Sequence, residues 1–185
     1  EGAIISSVVP QITHVFSSAV SRLLNCRLIF VGPGIKTGLD IKIDQHTELG
    51  TDLVANTVAA LAVYTPPLVI IDMGTATTIT AVNEKRELCG VIILPGVRIA
   101  LDALSANAAG LPYISLDSPR ALFGTNTIGA MNSGTMYGNA CMLDGLIDRV
   151  SEEFNTTDIN IIATGGLANT ILPYCRHGIE YAPNL

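Results

Sequence analysis

Leu68-Val69-Ile70-Ile71 is an uninterrupted apolar run, set directly behind Pro66-Pro67 and directly ahead of Asp72-Met73-Gly74-Thr75-Ala76-Thr77-Thr78. A strand with one face in water alternates apolar and polar residues. A continuous run is the pattern of a central strand covered on both faces. A second run, Ile159 to Ala163, ends in Thr164-Gly165-Gly166 and reads the same way. Between them, Thr77 to Val82 and Glu87 to Leu94 flank Asn83-Glu84-Lys85-Arg86, which predicts a hairpin. Strands of this kind need helices above and below, and the sequence supplies them.

From Pro10 onward, Ile12, Val15, Phe16, Ala19, Val20, Leu23 and Leu24 recur at helical spacing, with proline in the first turn. A helix is expected after Asp52, with Val54, Ala55, Val58, Leu61 and Ala62 on one face. Another follows Pro95-Gly96, carrying Ile99, Leu101 and Leu104, and a long one runs from Thr127 to Val150. Gly129, Gly134 and Gly138 lie inside that last helix, where each costs about 1 kcal/mol against Ala. Such a cost predicts close backbone packing there against a helix or a ligand. Ala3 to Val8 and Arg27 to Val31 read as strands, and a short helix is expected after Gly166. Strands alternating with helices, plus one meander, make an α/β fold with a mixed sheet.

Composition narrows the function. The 185 residues are 49% hydrophobic and 14% charged, enough apolar surface to offset chain entropy, so a disordered or purely solvating chain is excluded. Lys+Arg is 10 against Asp+Glu 16, a net charge of −6, which argues against a nucleic-acid footprint. Small anions held by backbone amides stay open. Cys26, Cys89, Cys141 and Cys175 form no C-x-x-C pair and read as free thiols of a reducing compartment. Cys175 and His177 could be half a metal site, but a packing cysteine and a surface histidine is the simpler reading. The uncharged stretches Leu53–Ile71 and Ala121–Leu143 are interrupted by Asn56 and Pro66-Pro67, and by Gly, Asn, Ser and Thr, respectively. Neither reads as a membrane span, and the first residues do not read as a signal peptide, so a cytoplasmic, membrane-free protein is expected.

Three segments could carry chemistry. Asp72 at a strand end can anchor a cation, and Gly74 lets backbone N–H groups approach phosphate oxygens. Equally, the segment could be a tight turn in which Asp72 accepts its own downstream amides. Thr164-Gly165-Gly166 alone is a turn; with the first turn it suggests one nucleotide held between two strand ends. Asp52, in Glu48-Leu49-Gly50-Thr51-Asp52, stands where a helix begins. By itself it reads as an N-cap worth about 1 kcal/mol; as a general base it could take the proton of a hydroxyl attacking phosphorus. Lys36-Thr37 precedes Gly38, so Gly32–Gly38 is no G-x-x-x-x-G-K-[ST] loop, and no H-E-x-x-H or G-x-S-x-G occurs.

Taken in order, the segments resemble the type III pantothenate kinase family, which phosphorylates pantothenate at the first step of coenzyme A synthesis. They are Ser6-Ser7-Val8-Val9-Pro10, Gly32-Pro33-Gly34-Ile35-Lys36-Thr37-Gly38-Leu39, Glu48–Asp52 with Asn56, Asp72–Thr78, Gly90 with Leu94-Pro95-Gly96, Leu111-Pro112, Thr127 with Ala130-Met131 and Ser133-Gly134, and Thr164-Gly165-Gly166. The resemblance implies lobes of the acetate kinase, hexokinase and actin group (ribonuclease H-like) with mixed sheets. Residues 1–66 would be the remainder of an N-terminal lobe with a connecting helix, and residues 67–185 a C-terminal nucleotide-binding lobe. The family's opening Asp-x-Gly-Asn-Thr hairpin has no counterpart here.

The same resemblance implies Asp52 as the proton acceptor for the pantothenate hydroxyl, with Gly50, Thr51, Leu53 and Thr127 lining the substrate. Asp72 would hold a monovalent cation, potassium or ammonium. Gly74 and Thr75 would meet the phosphates of ATP, which comes with Mg2+, and Gly165 and Gly166 would lie near the adenosine. A homodimer whose second subunit completes the pocket is implied. The family normally carries Arg where this chain has Leu53, and often Asp where it has Thr80. The alternative is a non-catalytic or regulatory relative that keeps the scaffold and binds a ligand or a protein.

Overall fold

A computed structural model describes residues 2–24, 26–32, 35–45 and 48–185. Pro33-Gly34 of the glycine loop therefore lie outside the described residues. The elements are strand β1 (Gly2–Ile5), helix α1 (Pro10–Leu23), strands β2 (Arg27–Phe30) and β3 (Asp40–Ile41), helix α2 (Thr51–Val63), strands β4 (Leu68–Met73), β5 (Ala76–Val82) and β6 (Glu87–Pro95), helices α3 (Val97–Asn107) and α4 (Thr127–Phe154), strand β7 (Asn160–Thr164), helix α5 (Ala168–Ile171) and strand β8 (Glu180–Tyr181).

Two sheets result. β1 and β2 pair in parallel, and six strands take the order β3-β6-β5-β4-β7-β8. In the larger sheet β5 alone runs against the rest, since it is antiparallel to both β4 and β6 while the remaining pairs are parallel. The mixed sheet and hairpin are as expected; Asn83 and Arg86 close the turn, with Arg86 at φ 65°. β3 and β8 are additions that their length explains, because two residues leave no readable alternation.

The continuous apolar run is central, as the sequence predicts. Strand alternation sends Val69, Ile71 and Met73 into one core with Met136, Leu143 and Ile147 of α4. Leu68 and Ile70 go to the opposite face, into a second core with Ala60 of α2, Val82 and Ile162. Each fully buried side chain of this kind contributes roughly 1.5–3 kcal/mol. The same alternation decides where the chemistry goes: Asp72 continues the Leu68–Ile70 row and so faces α2.

Several expectations need correction. The first strand stops at Ile5 because Ser7 Oγ accepts the Val9 N–H (3.2 Å) and the Thr13 hydroxyl (2.6 Å), which turns the chain into α1. α1 forms as its spacing predicts, yet its apolar face is open: Val15, Phe16 and Leu23 are 68%, 56% and 82% exposed. On α2 the buried residues are Leu53, Thr57 and Ala60, not the Val54–Leu61 stripe, because the helix leans on β4 and β5 along that narrower line. Gly134 and Gly138 have nothing within 4 Å of where a Cβ would stand, so close packing does not explain them here. Gly129 does meet close backbone, since a Cβ on Gly124 would run into the Gly129 and Ala130 backbone, and its N–H donates to the capping side chain of Asn126 at 2.8 Å. Among the described residues no helix is long and apolar enough to cross a membrane.

Candidate active site

β4 and β7 are parallel neighbours with Asp72 opposite Thr164. Their two glycine turns therefore emerge side by side at the same end of the sheet, the arrangement in which open α/β sheets place ligands. The turns differ in what fixes them. Gly165 has φ +93°, and a Cβ there would lie 2.6 Å from the Met73 backbone, so only glycine fits. Leu167 N–H then donates to the Met73 carbonyl at 3.3 Å, stitching one turn to the other. Gly74 and Gly166 have no such steric demand. Both residues and Thr75 are exposed to an approaching group, although the Gly74 N–H already donates to the Ala76 carbonyl at 3.0 Å. Gly96 closes the far side, since a Cβ there would run into the carbonyl oxygen of Thr75.

α2 brings the second acid. It begins at Thr51 with Gly50 as its N-cap residue, so Asp52 is the second helical residue and not the cap itself. The carboxylate still sits in the first turn, where the helix dipole favours it. Its Oδ1 accepts the Leu53 N–H at 2.9 Å, and the side chain is otherwise exposed. One turn further on, Asn56 Nδ2 donates to Asp72 Oδ2 at 2.9 Å. Asp52 and Asn56 share a helix face at i, i+4, and that face looks at the end of β4. The Asp72 carboxyl is held above the ordinary carboxylate range, first by burial and further by the nearby Asp52 charge, while Asn56 pulls it back. Two acids twenty positions apart in sequence thus share one site.

The Ser6–Val8 segment also arrives there. Ser6 Oγ donates to Thr51 Oγ1 at 3.1 Å, and Val8 Cγ1 lies 3.7 Å from a Cβ built on Gly50. Gly50 and the buried Leu53 border a cavity of about 510 Å³ shared with Gly90 and the segment after β3. Thr127 is placed elsewhere: it starts α4 and lines a separate cavity of about 670 Å³ between α3 and α4. Thr127 and Gly50 thus line different cavities.

A cation at Asp72 passes a simple test of fit. Among the described residues Asp72 accepts one side-chain hydrogen bond, from Asn56 to Oδ2, which leaves Oδ1 as a hard oxygen donor beside Gly74. The cysteine and histidine near the C-terminal end serve packing and pairing. The Cys175 thiol points at the Ile171 carbonyl (3.9 Å) and is pushed up to about 11, chiefly by burial. His177 Nε2 pairs with Asp148 at 2.8 Å. All four cysteines are free.

Asn56 was singled out with the Glu48–Asp52 segment but given no role, and its hydrogen bond to Asp72 supplies one. The β3 side of the cavity, with Lys42 and Ile43, carried no signal in the sequence.

Comparison with known proteins adds the following. A family model described as type III pantothenate kinase matches residues 1–149. A protein named type III pantothenate kinase from an Exiguobacterium species is 47% identical over 171 residues, covering 92% of this chain and 66% of the relative. One of the same name from Shouchella clausii is 44% identical over 167 residues, covering 90% and 65%. The chain thus spans about two thirds of the length of these curated relatives. Among solved structures, a Campylobacter jejuni protein described as a conserved Baf family transcriptional activator superposes with TM-score 0.63 at 21% identity, over 98% of this chain and 76% of that one. The ethanolamine utilization protein EutJ from Carboxydothermus hydrogenoformans gives 0.51 at 17%, over 94% and 67%. At such identities the likeness speaks to fold alone, and that shared fold agrees with the α/β architecture with mixed sheets that the sequence predicts.

Proposed function

We propose, because the chain belongs to the type III pantothenate kinase family, that its site transfers the γ-phosphoryl group of ATP to the hydroxyl of pantothenate, giving 4'-phosphopantothenate. The observation that carries this reading is the meeting of Asp52 and Asp72 beside two adjacent glycine turns. Asp52 stands exposed on the first turn of α2 and accepts the hydroxyl proton. The hydroxyl oxygen forms its bond to the γ-phosphorus as the bond to the β–γ bridging oxygen breaks, and ADP leaves with that electron pair. Catalysis of this kind is mostly positioning. Gly74, Thr75, Gly165 and Gly166 line the phosphate and nucleoside side, and Gly50, Thr51 and Leu53 the acceptor side. Asp72, with one oxygen held by Asn56, keeps the other for a monovalent cation, potassium or ammonium. That ion and the Mg2+ accompanying ATP supply countercharge to the phosphates. Thr127 lines the cavity between α3 and α4, and in a homodimer one subunit's α4 would complete its partner's pocket. Residues 67–185 form the nucleotide-binding lobe and residues 1–66 a second lobe that ends in the connecting helix α2, with β3 of that part added to the edge of the larger sheet.

The test is ADP release with ATP, Mg2+ and pantothenate, in potassium and in sodium, for the wild-type protein and Asp52→Asn. Pantothenate-dependent turnover that prefers potassium and falls by about 10²–10⁴ in the variant is expected. A folded protein with no turnover in any arm would move the reading to the non-catalytic relative.

A further inference from the structure

We propose that Gly50 is a positioning residue whose missing side chain leaves the space in which the Asp52 carboxylate lies, an inference that rests on reading Asp52 as the base. Nothing in the backbone asks for glycine at this position. Gly50 has φ −57° and ψ 137°, an extended conformation that any residue adopts. The demand is steric, and it comes from one atom. A Cβ built on Gly50 would run into Asp52 Oδ1, whereas Asp52 Cγ at 3.5 Å and Val8 Cγ1 at 3.7 Å lie at ordinary contact distance. At Gly96, Gly124 and Gly165 a Cβ would meet backbone, which cannot step aside. At Gly50 the obstacle is the end of a flexible side chain, so a substitution costs the fold little and moves the candidate base.

The hydrogen bonds at the start of α2 point the same way. Gly50 is the N-cap residue and makes no side-chain cap. A serine, threonine, asparagine or aspartate at an N-cap accepts the N–H of the second or third helical residue. The third here is Leu53, and its N–H already goes to Asp52 Oδ1 at 2.9 Å. Asp52 makes the capping contact from inside the helix, which pins one carboxylate oxygen and leaves the other for the acceptor hydroxyl. A side chain at position 50 would displace it in two ways. A methyl group acts by volume alone; a serine hydroxyl also competes for the Leu53 N–H. The better cap for the helix is thus the worse residue for the chemistry.

The experiment measures kcat, KM for pantothenate and melting temperature for Gly50→Ala and Gly50→Ser, using protein expressed from the complete reading frame. In both variants kcat is expected to fall about 10²-fold, the cost of misplacing a catalytic group by about 1 Å. KM should change by less than about threefold, and Gly50→Ser should melt at or above the wild-type temperature. A double-mutant cycle isolates the route: where Asp52→Asn has already removed the base, Gly50→Ala should cost less than about twofold more. General damage to the fold would persist in that background. Unchanged kcat, with or without a raised KM, overturns the proposal, as does a full loss on top of Asp52→Asn. If the wild-type protein releases no ADP, the kinase reading fails by itself, and the Leu53 amide decides the positioning. Its proton resonance in Gly50→Ala should move to where Asp52→Ala puts it, and an unmoved resonance overturns the proposal.

Discussion

The two ends of the chain show the same sequence pattern with opposite outcomes. In the N-terminal β1-α1-β2 unit, apolar side chains recur at strand and helix spacing, yet Phe16 is 56% exposed and Ile4 68%. In the six-stranded sheet and the helix α4 packed on it, the same kinds of side chain, Ile71 and Leu143 among them, are fully buried. Periodicity reports the shape a segment adopts; burial also needs a partner surface, which α4 and α2 give to β4 and which, among the described residues, α1 does not receive. The candidate site lies at the joint between the two regions, where Ser6 meets Thr51.

That contrast can be broken or sharpened by substitution. The largest expected effect is in the packed sheet: Ile71→Ala should lower unfolding free energy by about 2–5 kcal/mol in a urea titration. A cost below about 1 kcal/mol would mean the β4–α4 core collapses round the gap and is not close-packed. Gly165→Ala comes next, at about 3 kcal/mol, because a left-handed backbone and the Met73 peptide both oppose a Cβ. Phe16→Ala should change stability by less than about 0.5 kcal/mol. A loss above about 2 kcal/mol would instead show that another surface covers this face in the working protein.

The smallest effect carries a sign. Asp72 binds its proton more tightly in the folded chain than in the unfolded one, so its ionised form opposes folding. Stability should therefore fall as pH rises from the ordinary carboxylate range through the raised value, and stay reduced above it. Asp72→Asn keeps an acceptor for Asn56 and removes the charge. It should raise the melting temperature at pH 7 and flatten that part of the pH profile. A lower melting temperature would show that the carboxylate stabilises the site rather than straining it.

Much of this was legible in the residues. The apolar run at Leu68–Ile71, the turn at Asn83–Arg86 and the start at Pro10 are local signals, and each element stands where they put it. The neighbouring glycine turns were legible as a pair for the same reason, since both follow central-type strands. What could not be read was decided by faces and partners. The strand stopped short at Ile5 because a serine–threonine network turned the chain. The open flanks of Gly134 and Gly138, and the placing of Thr127 and Gly50 in different cavities, depend on which surfaces meet.

By itself, then, the sequence determined which segments are strands and helices, which acids stand at their ends, and through the ordered motifs which family the chain belongs to. These follow from interactions among residues a few positions apart. Only the tertiary structure decided that Asn56 holds Asp72, that Ser6 meets Thr51, and that α1 keeps an uncovered face. Such pairings join residues tens of positions apart, and local preference carries no information about which surfaces the packed sheet will bring together.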